Sequence, residues 1–264
     1  CVTMDASPNP IAAAASMIVA RRTAAPSPTR ASTATVDHGR LSPILEAIRQ
    51  SGIAALPGFR NDLADYIASL EAVDPDTLGP TEALAFWLNL YNAGALIATA
   101  ESRASGHDSI LRTPRVFDRA YTRVGGESLT LSDVENGKVR RFGDPRIHAA
   151  LVCGSVSCPT LRFEPFTGQA LEAQLDDQMR RFVSLGGVSI DRSNHTVTLN
   201  RIFLWYGGDF VRPDRMPSLA PAPKRRLVNT VAWWLSPEDR NHVWTTNPDV
   251  EFAPYDWSLA CTVA

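Results

Sequence analysis

The stretch TEALAFWLNLYNAGALIATAES, residues 81–102, constrains the fold more than any other part of this chain. It has helical length, few charges and apolar side chains on nearly every face. Such a helix is either buried in a protein core or set in a membrane. No uninterrupted apolar run approaches the ~18–20 residues that a membrane span needs. The stretch is therefore expected to be a core helix, with Thr81 as its cap. Leu84, Trp87 and Tyr91 share one stripe and should be buried. Asn89 and Asn92 lie three apart on this helix, so they share a face. A buried amide without partners costs about 1–3 kcal/mol. Each must either satisfy backbone groups of neighbouring loops or line a pocket, orienting an imidazole or a bound carbonyl.

The rest of the chain divides simply. Residues 1–39 are rich in Ala, Ser, Thr and Pro and read as a low-complexity tether, disordered because too little apolar surface is available to offset ordering. Residues 40–264 read as one globular domain. Helices are predicted from Leu41 (LSPILEAIRQSGI), from Asp62 (DLADYIASLEA), from Ser132 (SDVENGKVRRFG), from Thr167, and over KRRLVNTVAWWL. Two hairpins are predicted, one turning at Gly125-Gly126 and one over VSIDRSNHTVTLN. IHAALVC (residues 147–153) reads as an apolar strand and DVEFAPYDWSL as a terminal strand. Helices precede strands, so the expected class is α+β, with a helical N-terminal part packed on a mostly antiparallel sheet.

The 26 basic and 28 acidic side chains leave a net charge of -2. That lacks the basic excess of a typical nucleic-acid binder, so no nucleic-acid partner is expected. The four cysteines, Cys1, Cys153, Cys158 and Cys261, are too few for a disulfide scaffold. Cys1 suits the lipid-bearing first residue of a mature bacterial lipoprotein, or an arbitrary chain start. The first case implies an exported, periplasmic or cell-envelope location, with membrane contact only through that lipid.

Chemistry concentrates in DPRIHAALVCGSVSCP, residues 144–159. On a regular strand His148 and Cys153 would face opposite ways. The loop Gly154–Ser157 can bring Cys158 back towards His148. A thiolate beside an imidazole is the nucleophile of many acyl-transfer enzymes. Cys158 thus reads as a nucleophile, as half of a disulfide with Cys153, or as inert packing. Cys153 reads as a core residue or as a second thiol of the site. Asp144 either orients the His148 ring or pairs with Arg146 in a turn. Glu135 either closes a capping box with Ser132 or serves the site. Trp205 and Tyr206 are core or pocket wall, and Asp209 is a loop carboxylate. No metal site and no cofactor is expected, because no ligand spacing or phosphate loop of a common kind is present.

FWLNLYNA, LSDVENGKVR, DPRIHAALVCGSVSCP, RIFLWYGGDF and YDWSL occur in an order that resembles domain-of-unknown-function family 547, over about residues 80–260. Members of that family usually carry a His after the Glu of the third helix, where this chain has Asn136. The resemblance implies export for bacterial members and interaction roles for plant members. The order of elements is also similar to that of papain and transglutaminase-like proteins, by fold analogy alone. In that group the core helix starts with a Cys, and none stands here. Two functions follow, with a thiol redox protein as a weaker third because the CxxxxC spacing is wider than that of redox dithiols. One is an exported thiol-dependent hydrolase or acyl transferase, with Cys158 as nucleophile, His148 as base, Asp144 or Glu135 orienting the ring, and Asn89 or Asn92 holding the oxyanion. The other is a non-catalytic domain that binds a small molecule, a peptide or a protein, with a Cys153–Cys158 disulfide.

Overall fold

The computed structural model describes residues 31–263. Cys1 and most of the expected tether lie outside that range. Labelled in chain order, and leaving single turns unlabelled, the elements are α1 (Ser42–Ser51), α2 (Arg60–Glu71), α3 (Pro80–Ala104), β1 (Ala120–Val124), β2 (Glu127–Thr130), α4 (Ile147–Ala150), α5 (Leu171–Phe182), β3 (Val188–Asp191), β4 (Thr196–Leu199), α6 (Arg201–Trp205), α7 (Gly207–Val211), α8 (Lys224–Val231), α9 (Pro237–Thr246) and β5 (Asp249–Phe252).

The central helix is α3, buried over most of its length. It is long and apolar enough to cross a membrane, and here it is surrounded by protein. Leu84, Trp87 and Tyr91 are all buried, as expected. Its start differs: Gly79 is the cap and Pro80 takes the first position, where a missing N–H costs nothing. α1, α2, the β1–β2 hairpin and α3 enclose one core. A second core is built from α5 to α8 and the β3–β4–β5 sheet, with Phe203 and Val231 fully buried.

The class is α+β, but the strands are few and short. β1 and β2 form an isolated antiparallel pair, turned by Gly125 and Gly126 at φ 59° and 81°, which side chains rarely adopt. β3 and β4 are antiparallel, and β5 joins β4 in parallel. The helical part therefore does not lie on one broad antiparallel sheet. Neither small sheet closes or curls, so the arrangement lends nothing to a papain-like architecture.

Core contacts also reach back past the expected boundary at residue 40. Val36 packs on the first core, and its N–H donates to Glu82 Oε1 at 2.7 Å. His38 is buried with its Nδ1 2.6 Å from the Tyr66 hydroxyl, and burial pushes its pKa down to about 4.

The predicted strand at 147–153 is absent. Asp144 accepts the Arg146 N–H at 2.9 Å, and Pro145 is fixed in φ, so the chain enters a helical turn. The N–H groups of Ile147, His148 and Ala149 bond to the carbonyls of Asp144, Pro145 and Arg146. Only from Leu151 is the chain extended. A short apolar run has no period that separates these two outcomes. This segment links the two cores, with Ala149 in the second and Ala150, Leu151 and Val152 in the first.

Candidate functional site

The two asparagines of α3 hold the chemistry-bearing loop by its backbone. Asn92 Nδ2 donates to the Ala150 carbonyl at 2.9 Å, and its Oδ1 accepts the Val152 N–H at 3.1 Å. Asn89 makes the same paired bonds to Phe166, at 2.8 and 3.0 Å. Both amides are saturated by loop backbone and neither points at an imidazole. Of the two readings, the backbone-satisfying one describes the contacts they make.

After Cys153 the chain reverses at Gly154, with φ 78°. A Cβ there would stand 2.1 Å from Thr99 Oγ1, so only glycine fits against α3. The reversal returns Cys158 to Cys153, and the Cys153 N–H donates to Cys158 Sγ at 2.9 Å. The chain's C-terminal segment fastens the loop from outside. The N–H groups of Val156 and Ser157 donate to the carbonyls of Ser258 and Asp256, and that of Ala260 donates to Gly154.

Both thiols are free and half-buried. Cys153 Sγ has three polar neighbours, Cys158, the Ser155 hydroxyl at 3.0 Å and the Tyr255 hydroxyl at 3.4 Å, and Ser155 Oγ also donates to the Tyr255 oxygen at 3.1 Å. The Cys158 contact contributes most, and together these neighbours outweigh burial and bring the Cys153 pKa down to about 7. Burial and the neighbouring Cys153 sulfur push the Cys158 thiol well up. The expected assignment is thereby reversed. Of the two, Cys153 is the thiol pushed towards the thiolate and Cys158 the one pushed towards the protonated form.

His148 takes no part in that contact. Its Nε2 donates to Asp209 Oδ2 at 2.9 Å, and its ring stacks on Tyr206 with centroids 4.1 Å apart. Asp209 is fully buried and also accepts Arg140 Nε at 2.8 Å, Arg140 Nη2 at 3.0 Å and the Ser218 N–H at 2.7 Å. Burial raises the Asp209 pKa, but the His148 and Arg140 bonds outweigh it and hold the carboxyl at about 2. Among the described residues, no hydrogen bond joins His148 to Cys153 or Cys158. The carboxylate that orients His148 is therefore Asp209, not Asp144. Asp144 instead grips Arg146, 2.6 Å away, in the turn that starts α4.

Glu135 does not close the capping box, which Thr130 and Asp133 form. It lies on a wide π-helical turn, Val134–Lys138, a distortion often found at functional sites. That turn faces Glu135 towards Tyr206 and the Tyr91 hydroxyl, the latter 3.4 Å from Oε2. Asn136, on the same turn, accepts Arg140 Nη1 at 2.7 Å. Asn136 thus props the guanidinium that binds Asp209. Trp205 belongs to an aromatic shelf with Tyr255 and Trp257, whose centroids lie 4.8 and 5.7 Å from its own. Among the described residues, no group of three or more His, Cys, Asp or Glu side chains is placed to hold a metal.

Arg140, Ser155 and Tyr255 complete the arrangement, and sequence patterns do not single them out. Arg140 stands four after Asn136, a spacing compatible with their contact. Tyr255 lies far along the chain, and its only signal is its place at the head of the YDWSL motif.

The arrangement is a thiol pair in an α+β domain, backed by a buried His–Asp–Arg cluster. Residues 75–183 match the family described as Protein of unknown function, DUF547. That span includes α3, the π turn and both thiols. It excludes RIFLWYGGDF and YDWSL, so the match is shorter than the motif resemblance implied. Searches among curated proteins and among solved structures give no significant match. Nothing in these comparisons supports a likeness to papain or transglutaminases.

Proposed function

We propose that this domain is a thiol-dependent hydrolase or acyl transferase with Cys153, rather than Cys158, as nucleophile. The observation that supports it is the set of donors around the Cys153 sulfur, which favour a thiolate near neutral pH. In the reaction the thiolate adds to a substrate carbonyl carbon, and the bond to the leaving group then breaks. The leaving group takes its proton from solvent, and the Tyr255 hydroxyl, 3.4 Å from Sγ, stays protonated and serves as a hydrogen-bond donor. Water or another acceptor later releases the acyl group from sulfur. The His148–Asp209–Arg140 cluster holds α4 and the π turn in place and does not itself move the proton. The aromatic shelf of Trp205, Tyr255 and Trp257 gives the acyl or leaving group a flat apolar surface.

The test is alkylation with iodoacetamide, mapped by peptide mass spectrometry across pH. A thiol reacts as its thiolate, so the Cys153 rate should rise with a midpoint near pH 7. Cys158 should lag until much higher pH. Hydrolysis of an activated ester should follow the Cys153 midpoint and vanish in Cys153→Ser. A Cys153 midpoint at the ordinary thiol value of about 8.5, or an undiminished rate in Cys153→Ser, would overturn the proposal. A non-catalytic domain with a Cys153–Cys158 disulfide is the second reading, favoured by how close the two cysteines lie. In that case neither cysteine of the purified protein labels without reductant.

A further inference from the structure

We propose that Cys153 and Cys158 are a peroxide-reducing pair, in which the Cys153 sulfur attacks a hydroperoxide and Cys158 resolves the product as a disulfide. The proposal shares with the acyl-transfer reading only the Cys153 thiolate, and it needs neither a carbonyl substrate nor an acyl intermediate.

The geometry rests on the reversal at Gly154. Four residues separate the cysteines, and an extended chain would hold them far apart. Here the Cys153 N–H donates to Cys158 Sγ at 2.9 Å, and Cys158 Sγ lies 4.0 Å from the Leu151 carbonyl, so the second thiol sits directly over the backbone of the first. The loop is tied to α3 through Asn92 and to the C-terminal segment through Val156, Ser157 and Ala260. The two side chains are thus held together by the fold. Ser155 and Tyr255 place two hydroxyls on the Cys153 sulfur, at 3.0 and 3.4 Å. Burial keeps the Tyr255 phenol protonated, so it remains a donor.

Each step balances. The Cys153 thiolate attacks one oxygen of hydrogen peroxide, an S–O bond forms and the O–O bond breaks. The departing hydroxide takes a proton from solvent and leaves as water, while the Tyr255 hydroxyl stays protonated and hydrogen-bonds to the reacting sulfur. Cys153 is then a sulfenic acid. The Cys158 sulfur attacks it, the S–O bond breaks, and hydroxide leaves as water with the Cys158 proton. The two thiols have lost two electrons in total and peroxide has gained them. A dithiol reductant then restores the pair.

The experiment treats the reduced full chain with one equivalent of hydrogen peroxide at pH 7, followed by thiol counting and disulfide mapping. The expected result is a single Cys153–Cys158 disulfide, with Cys261 untouched. From the thiolate fractions at a pKa of about 7 and of about 8.5, the reaction should be about tenfold faster than that of free cysteine. In Cys158→Ser the sulfenic acid should persist and be trapped on Cys153 by dimedone. Cys153→Ser should show no fast reaction. Retention of both thiols, or oxidation of Cys153 to sulfinic acid with Cys158 still free, would overturn the proposal. Ester hydrolysis by the same reduced sample separates the two readings. Hydrolysis without disulfide formation sinks the peroxide reading alone, and disulfide formation without hydrolysis sinks the acyl-transfer reading alone.

Discussion

Replacing Asp209 with Ala should destabilise the protein by about 3–5 kcal/mol, the range seen when one partner of a buried ion pair is removed. The side chains of Arg140 and Asp209 are both fully shielded from solvent. Asp209 accepts four hydrogen bonds, from Arg140 Nε and Nη2, His148 Nε2 and the Ser218 N–H. Without it a buried guanidinium loses a bidentate carboxylate, and a backbone N–H and an imidazole N–H lose their acceptor. Unfolding in urea, followed by tryptophan fluorescence at pH 7, measures the loss. A double variant, Arg140→Met with Asp209→Ala, should recover part of it, because the buried charge is gone. The same carboxylate predicts an acid response. Its pKa falls on folding from 3.8 to about 2, so it contributes stability of about 2 kcal/mol above pH 3.8, and this is lost as pH falls through about 2. Asp209→Ala should lack that part of the acid transition. A loss below about 1 kcal/mol at pH 7, or an unchanged acid profile in the variant, would show that Arg140 and His148 do not depend on this carboxylate.

Trp87→Ala, in the fully enclosed part of α3, should cost about 3–5 kcal/mol in the same urea experiment, and a loss below about 1 kcal/mol would place that helix face near the surface. Asn92→Ala strands the Ala150 carbonyl and the Val152 N–H, each at about 1–3 kcal/mol. Hydrogen exchange should show Val152 losing protection before α3 does, and equal protection in variant and wild type would mean that the loop is held by other bonds. His148→Ala should leave the pH midpoint of Cys153 alkylation in place, because His148 bonds to Asp209 and to neither thiol. A midpoint moved by more than about one pH unit would restore a His–Cys pairing.

Much of the architecture is written in local sequence patterns. An apolar stretch as long as residues 81–102 can be satisfied only by burial on all sides, so Leu84, Trp87 and Tyr91 have to lie inside. Paired glycines at 125 and 126 admit a tight hairpin turn that other residues resist, and alternation marks the β3–β4 hairpin. The stretch 144–159 stands out because imidazole and thiols crowd there. The rest depends on contacts distant in sequence. Whether Ile147–Cys153 is strand or helical turn is decided by Asp144 and Pro145 together with the Asn92 clamp, since a short apolar run satisfies either form. Which carboxylate orients His148 is decided by the packing of α7, which brings Asp209 to it across 61 residues while Asp144 turns to Arg146. Which cysteine is pushed towards the thiolate depends first on the Cys158 contact that the reversal at Gly154 creates, and then on Ser155 and on Tyr255, 102 residues from Cys153. A thiol's proton affinity follows the donors and charges within a few ångströms of the sulfur. Those donors are assembled by the fold, and the sequence alone does not order them.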